Sequence, residues 1–363
     1  MIKTTAINIV KQEAMMVTWD TGKRCNYDCT YCELAHHNNS SKFVSLDELK
    51  KTFEFIKQWT GLYNQTRTVP DHTNINFTGG EPTANPNFWD LVDYIKADDR
   101  KFNLSLTTNG SWGPAYSQKI IDRFHGVTVS YHTEADSNLK KRSLENVFRL
   151  HQAGLWLQVN VMMHMDHWDE AVAVCEQLKA AGIKHNPRPI GDGTEQRAGW
   201  FIDADGSNRR TSHTYTQEQQ EWFWDYMGVE KKASKESLGT DMGRACCGGR
   251  CLQGKVDGEW QTVKLVNTEF KGWYCAVDQF FLHIDQDLGT VYHHQTCQAL
   301  HNGQRGPVGL LVNSQQLIED LKIRLENPSP IVCPNNRCGC GMCVPKAESL
   351  ADFLGVTAQG TQF

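Results

Sequence analysis

Three cysteines, Cys25, Cys29 and Cys32, stand within the eight residues that open RCNYDCTYCE at its second position. A disulfide takes two thiols, and a zinc site generally takes four ligands. Thiolates are soft ligands suited to iron–sulfur clusters, which normally bind four protein ligands. A four-iron cluster held by only three cysteines leaves one iron open, so this spacing describes a coordination site with a vacant corner. The same thiols also fit unrelated cysteines, or a zinc site completed from elsewhere.

Other residues carry chemistry of their own. In GGEP (79–82), Gly79 and Gly80 let backbone approach a ligand, and Glu81 can accept a hydrogen bond from an ammonium group. Ser130 is followed by His132 and Glu134, which read as an ordinary surface pair rather than as substrate contacts. Nine further thiols crowd the C-terminal third: Cys246, Cys247 and Cys251 in CCGGRC, then Cys275 and Cys297, then Cys333, Cys338, Cys340 and Cys343 in CPNNRCGCGMC. His293 and His294 read as solvent-facing turn residues.

Thirteen cysteines in 363 residues are many for a chain whose start shows no basic region followed by an apolar run. Without export, clustered thiols are metal ligands before they are disulfides, and the expected location is cytoplasmic. No stretch reaches the length of a membrane span. A net charge of −5 without a long basic run disfavours binding to a nucleic-acid backbone.

The elements that must position these residues follow from periodicity. Strands are predicted at 14–20, 74–81, 103–110, 127–132, 155–163 and 183–190. Helical stretches intervene, among them LDELKKTFEFIKQW and NLKKRSLENVFRLHQAG, the second closed by Gly154. Six β-α repeats imply an α/β fold with a parallel sheet, a partial (β/α)6 TIM-like barrel. One strand face is polar: Asn76 and Thr78; Ser105, Thr107 and Asn109; Thr128, Ser130 and His132; Gln158 and Asn160. The opposite face is apolar, with Ile75, Phe77, Leu104, Leu106, Val127, Val129, Val159 and Val161. The apolar face suits outer helices and the polar face a wet or ligand-filled lumen. The expected organisation is a barrel over 12–190, a linker or active-site cover over 191–244 with a helix near 216–227, a small cysteine-rich α+β domain over 245–346, and a tail over 347–363.

The triplet follows strand one directly, at the strand end where barrel enzymes keep their chemistry. With an aromatic residue before its last cysteine, it resembles the signature of the radical SAM superfamily at Cys25, Cys29, Tyr31 and Cys32. GGEP resembles that family's second motif, and TTNG (107–110) and Ser130 lie where it places cofactor contacts. The resemblance spans roughly 12–190. It implies a [4Fe-4S] cluster whose open iron binds S-adenosyl-L-methionine (SAM). An electron from the cluster then cleaves SAM to methionine and a 5′-deoxyadenosyl radical, which abstracts hydrogen from substrate. By the same resemblance Tyr31 lies near the adenine, and Gly79, Gly80 and Glu81 near the methionine ammonium. Thr108 and Asn109 join the cofactor contacts, and Ser130, Asn160 and Arg188 are candidates for the ribose and carboxylate. VNVMM does not copy the family's fifth-strand pattern, so Asn160 rests on position alone.

WYCAVDQFFLHIDQDLGTVYHHQTC (273–297) alternates like a hairpin with its turn at DQDLG. It resembles the SPASM and twitch domains that carry auxiliary clusters behind many radical SAM barrels. That implies at least one auxiliary iron–sulfur cluster held by Cys275, Cys297, Cys340 and Cys343, with Cys333 and Cys338 as alternative ligands. Cys246, Cys247 and Cys251 are candidates for a second cluster; a structural zinc is the other reading. The spacing from Gly289 to Cys297 exceeds the family's, and Gln298 stands where sulfatase maturases usually carry an aspartate. With strand one near residue 14, no leader-clamping domain is expected before the barrel. The expected activity is oxidative modification or cross-linking of a peptide or protein, with a flavodoxin or ferredoxin as reductant. The alternatives are oxidation or rearrangement of a small molecule such as a sugar, cyclitol or nucleotide, and a non-catalytic iron–sulfur electron-transfer role.

Overall fold

The computed structural model describes residues 4–9, 14–32, 38–65, 72–190, 215–227, 252–262, 270–293, 308–326, 330–333 and 344–358. The strands are β1 (Thr4–Ile9), β2 (Ala14–Asp20), β3 (His72–Thr78), β4 (Phe102–Thr108), β5 (Gly126–His132), β6 (Trp156–Met163), β7 (His185–Pro189), β8 (Leu252–Val256), β9 (Glu259–Thr262), β10 (Tyr274–Cys275), β11 (Phe281–Asp285), β12 (Thr290–Tyr292), β13 (Gly309–Leu310), β14 (Ile331–Val332) and β15 (Lys346–Ala347). The helices are α1 (Leu46–Gln65), α2 (Phe88–Lys96), α3 (Ser117–Arg123), α4 (Ser137–Gln152), α5 (Trp168–Ala180), α6 (Gln217–Met227), α7 (Val277–Phe280), α8 (Ser314–Glu326) and α9 (Leu350–Ala358).

The six expected strands form β2 to β7, paired in parallel in sequence order. The face division holds as well. Ile75, Phe77, Leu104, Leu106, Val127, Val129, Val159 and Val161 are fully buried, whereas Asn76, Thr78, Ser105, Thr107, Thr128, Ser130, His132, Gln158 and Asn160 are half-buried; Asn109, expected on the polar face, lies past the end of β4 and is buried. Each buried aliphatic or aromatic side chain contributes roughly 1.5–3 kcal/mol, which fixes strand register against a one-residue slip. Helix α1 starts in a capping box: Glu48 N–H donates to Ser45 Oγ, while Ser45 N–H and Oγ donate to the Glu48 carboxylate. Helix α4 ends as its sequence predicts, with Gly154 at φ +72° and Leu155 N–H donating to Leu150 O.

The predicted hairpin forms as β11 and β12, but not in a separate layer. Strand β11 pairs in parallel with β2, His283 opposite Thr18, and extends the sheet to nine strands in the order β13-β12-β11-β2-β3-β4-β5-β6-β7. The physical reason is that Leu282 and Ile284 continue the buried face of Val17 and Trp19, and β11 covers what would otherwise be an open sheet edge.

A second sheet has the order β14-β10-β15-β1-β8-β9. Its central strand β1, which lies before the first strand the sequence predicts, pairs with β8 and β15 from the far end of the chain. A small core of Ala6, Cys275, Ala276, Val277, Ile331, Val344, Ala347 and Phe353 lies under it. Helix α8 packs on α1, where Arg324 bonds the Tyr63 hydroxyl and lies 3.5 Å from the Asp278 carboxylate of α7. Among the described residues no helix is long and apolar enough to cross a membrane.

Candidate active site

The cysteine triplet lies on the loop that leaves the C-terminal end of β2, and backbone contacts fix its shape. Thr21 N–H donates to Thr78 O (2.9 Å), Gly80 N–H to Gly22 O (2.8 Å) and Glu81 N–H to Arg24 O (2.9 Å). A second line of contacts runs through Asn38, whose N–H donates to Lys23 O while its carbonyl accepts from Cys25 N–H. This explains both glycines. A Cβ on Gly79 would stand 2.5 Å from Gly22 O, and one on Gly80 would stand 2.4 Å from both Arg24 O and Lys23 O. The backbone packed against Gly79 and Gly80 is that of the cysteine loop itself, a close approach that requires glycine at both positions.

Cys29 is buried, and Cys25 and Cys32 are half-buried. Burial pushes the Cys25 and Cys29 thiols up to about 12, so both are protonated until a metal centre displaces the protons. Among the described residues no three His, Cys, Asp or Glu side chains converge as the ligands of a single ion do. Three thiols on one braced loop fit a cluster in which each thiolate meets its own iron.

Glu81 is 2% exposed and works as a latch. Its Oε1 accepts from Thr83 N–H (3.0 Å), Thr83 Oγ1 (2.6 Å) and Thr108 Oγ1 (2.8 Å), and its Oε2 accepts from Asn109 N–H (2.7 Å). Burial raises its carboxyl pKa while these donors pull it down. The carboxylate thus ties GGEP to TTNG, and only Oε2 keeps acceptor capacity for another donor. Asn109 extends the tie: its Nδ2 donates to Asn26 Oδ1 (2.8 Å), and Asn26 Nδ2 donates to Ser111 Oγ (2.9 Å). Sequence reasoning passed over Asn26 and Ser111, although Asn26 sits inside the triplet and Ser111 directly follows TTNG.

His132 and Glu134 are not a detached surface pair. His132 Nδ1 lies 3.4 Å from Cys29 Sγ and 2.6 Å from the Tyr31 hydroxyl. Glu134 accepts from Thr30 N–H (3.0 Å) and Thr30 Oγ1 (2.6 Å), and His164 Nε2 stands 3.4 Å from its Oε1. The end of β5 therefore grips the loop between its second and third cysteines.

Ser130 and Asn160 stand opposite each other on β5 and β6, Asn160 stands opposite Asn186 on β7, and Arg188 stands opposite Met162. All lie on the half-buried face of these strands. On β2 and β11 the same face carries Asp20 and His283, with His283 Nε2 3.1 Å from Asp20 Oδ2. In the hairpin turn, Asp287 Oδ2 accepts from Lys23 N–H (2.6 Å), so the C-terminal region also holds the cysteine loop.

Of the expected auxiliary ligands, Cys275 and Cys333 are described, and both are buried. Cys275 faces Ile331 across β10 and β14, and Cys333 follows two residues later on the same side. Cys246, Cys247, Cys251, Cys297, Cys338, Cys340 and Cys343 lie outside the described residues, as does His294. His293 is 3% exposed, which corrects its reading as a solvent-facing turn residue: the strand pairing of β12 carries it inward.

Residues 19–193 match the family described as the Radical SAM superfamily, and this part of the chain is a radical SAM domain. An S-adenosylmethionine-dependent nucleotide dehydratase from Selenomonas ruminantium is 34% identical over 91 residues, covering 24% of this chain and 27% of that protein. Mycofactocin maturase MftC from Mycobacterium tuberculosis is 28% identical over 94 residues, covering 26% of this chain and 21% of the maturase. The chain thus spans about a quarter of the length of these curated relatives. The crystal structure of Streptococcus suis SuiB aligns with a TM-score of 0.47 at 13% identity, covering 87% of this chain and 66% of SuiB.

Proposed function

We propose that this protein is a radical SAM enzyme that abstracts hydrogen from a peptide or protein substrate and modifies or cross-links it oxidatively. The observation that carries the reading is the three-thiol loop clamped by backbone onto GGEP at the C-terminal edge of the parallel strands. With a [4Fe-4S] cluster and SAM bound, the centre supplies one-electron cleavage of SAM to methionine and a 5′-deoxyadenosyl radical.

In this reading Cys25, Cys29 and Cys32 hold the cluster. Glu81 Oε2 and the Gly79–Gly80 turn border the methionine ammonium, and Tyr31 borders the adenine. Thr108 and Asn109 hold Glu81 in place, while Ser130, Asn160 and Arg188 orient ribose and carboxylate from a partial barrel of β2 to β7. An auxiliary cluster held by cysteines of the C-terminal region would supply an acceptor for the electron left on substrate. The burial of both Cys275 and Cys333 supports these two as ligands, with Cys297, Cys340, Cys343 and Cys338 as the candidates for the remaining two positions. A cytoplasmic location and a flavodoxin or ferredoxin donor complete the proposal.

A second reading, chemistry on a nucleotide or other small molecule, draws support from the match to the nucleotide dehydratase. The two separate in one assay. Anaerobically reconstituted protein with dithionite and SAM is mixed with high- and low-mass fractions of a cell extract, and 5′-deoxyadenosine is counted. Stimulation by the high-mass or peptide fraction alone is expected, and stimulation by the low-mass fraction alone would overturn the peptide reading. No deoxyadenosine from a protein with a complete iron count would overturn both.

A further inference from the structure

We propose that His132, acting with the Tyr31 hydroxyl, is a positioning residue that places a hydrogen bond on the Cys29 thiolate and so raises the reduction potential of the cluster held there. The proposal rests on the reading that the triplet ligates that cluster.

Three atoms meet at one point. His132 Nδ1 lies 3.4 Å from Cys29 Sγ and 2.6 Å from Tyr31 Oη, so the tyrosine hydroxyl and the Cys29 sulfur border the same ring nitrogen. Once Cys29 is a metal-bound thiolate, its sulfur can only accept. The short contact between Tyr31 and His132 has room for one proton. If Nδ1 lacks it, the tyrosine donates to the imidazole and the sulfur receives no hydrogen bond from this pair. If Nδ1 carries it, the imidazole donates to Tyr31 Oη or to the sulfur, and the tyrosine O–H turns to Cys29. A buried thiolate favours the second arrangement, because a buried anion without a donor is expensive.

The imidazole is held for this task. Its ring stacks at 8° on Tyr31 and takes the edge of Tyr27 at 88°, two rings that come from the triplet itself. Two residues further on, Glu134 fixes Thr30 through both N–H and Oγ1, so Cys29 and Tyr31 cannot drift from His132. Hydrogen bonds to cluster sulfurs stabilise the more negative, reduced form and move its potential upward.

The test is an EPR-monitored redox titration of the full chain, following the reduced-cluster signal that changes when SAM is added. His132→Leu is expected to keep its iron count and shift the midpoint to more negative potential. His132→Asn retains a side-chain N–H and is expected to recover part of that shift. Equal midpoints for wild type and His132→Leu would overturn the proposal. Should His132→Leu fail to load, Tyr31→Phe carries the same test: a negative shift supports the relay and an unchanged midpoint overturns it. A wild-type protein without any SAM-responsive signal would overturn the cluster reading as well, and so is distinguishable from a failure of the histidine alone.

Discussion

The two cysteine-rich regions are built on opposite plans. In the first, three thiols share one loop, and the bonds seen to shape it among the described residues come from backbone and side chains within residues 14–164 and from the turn at Asp287. In the second, the two described thiols sit on and just after strands of two residues, which pair only because β15 and β1 continue the sheet beside them. Short strands hold little stability of their own. The first site is therefore shaped before any metal arrives, while the second draws on both ends of the chain.

The most severe way to break that comparison is to remove the thiols. Cys25/Cys29/Cys32→Ala should abolish 5′-deoxyadenosine formation while shifting the melting temperature little, since backbone bonds hold the loop. An iron count of about four remaining in this variant would assign a complete cluster to the C-terminal region. Cys275/Cys333→Ala should retain SAM-responsive iron and melt at a clearly lower temperature. If the first variant instead unfolds and the second does not, the contrast between the regions is reversed.

Glycine substitution tests the loop's scaffold directly. Gly80→Ala places a methyl group 2.4 Å from two carbonyl oxygens, Arg24 O and Lys23 O, neither of which can move without opening the GGEP contact. A loss of about 3 kcal/mol and a failure to load the cluster are expected, read by chemical denaturation and iron analysis. Gly154→Ala, at φ +72° with nothing within 4 Å of the added methyl, should cost only about 1 kcal/mol and leave loading intact.

The same contrast explains what could be read from the residues alone. The spacing of Cys25, Cys29 and Cys32, the GGEP turn and the period-two faces of β3 to β6 are local patterns, and local patterns survive in sequence. Asn26, Ser111, His132 and Glu134 act through partners 85 to 104 positions away, so the sequence shows that they are polar but not whom they meet. Strand β1 was invisible for the same reason: its partners begin at Leu252 and Lys346. The pairing of β11 with β2 depends on two short apolar faces meeting across some 265 residues, and nothing in either segment announces it.

A pH dependence should follow in the metal-free protein. Burial holds the folded Cys25 and Cys29 thiols at about 12, whereas unfolded cysteines ionise near 8.5. The folded-state values are the higher ones, so their contribution to stability is full below about pH 8.5 and is lost as pH rises from there toward 12. Between pH 7.5 and 9 the apo-protein should lose about 1–2 kcal/mol by urea denaturation, and Cys25/Cys29→Ser should flatten that slope. A wild-type slope no steeper than that of the double variant would mean that neither thiol is buried as a thiol, and the loop would then not be preformed.

The smallest expected effect addresses the seam between the two regions. Asp287 belongs to the C-terminal hairpin, yet its carboxylate accepts from Lys23 N–H at the root of the cysteine loop, and Gln286 N–H donates to Asp20 O beside it. These are among the bonds by which the second region steadies the first. Asp287 is exposed, so Asp287→Ala should cost only about 0.5–1 kcal/mol in global stability. Its local effect should be larger than that figure suggests, because Lys23 N–H then has only water to meet. Hydrogen exchange should speed up at Lys23 and at Cys25, the next loop amide braced through Asn38, while the amides of β5 and β6 stay unchanged. Unchanged exchange at Lys23 would show that the loop is held from within residues 14–164 alone, and the hairpin would then be a neighbour of the site rather than part of its scaffold.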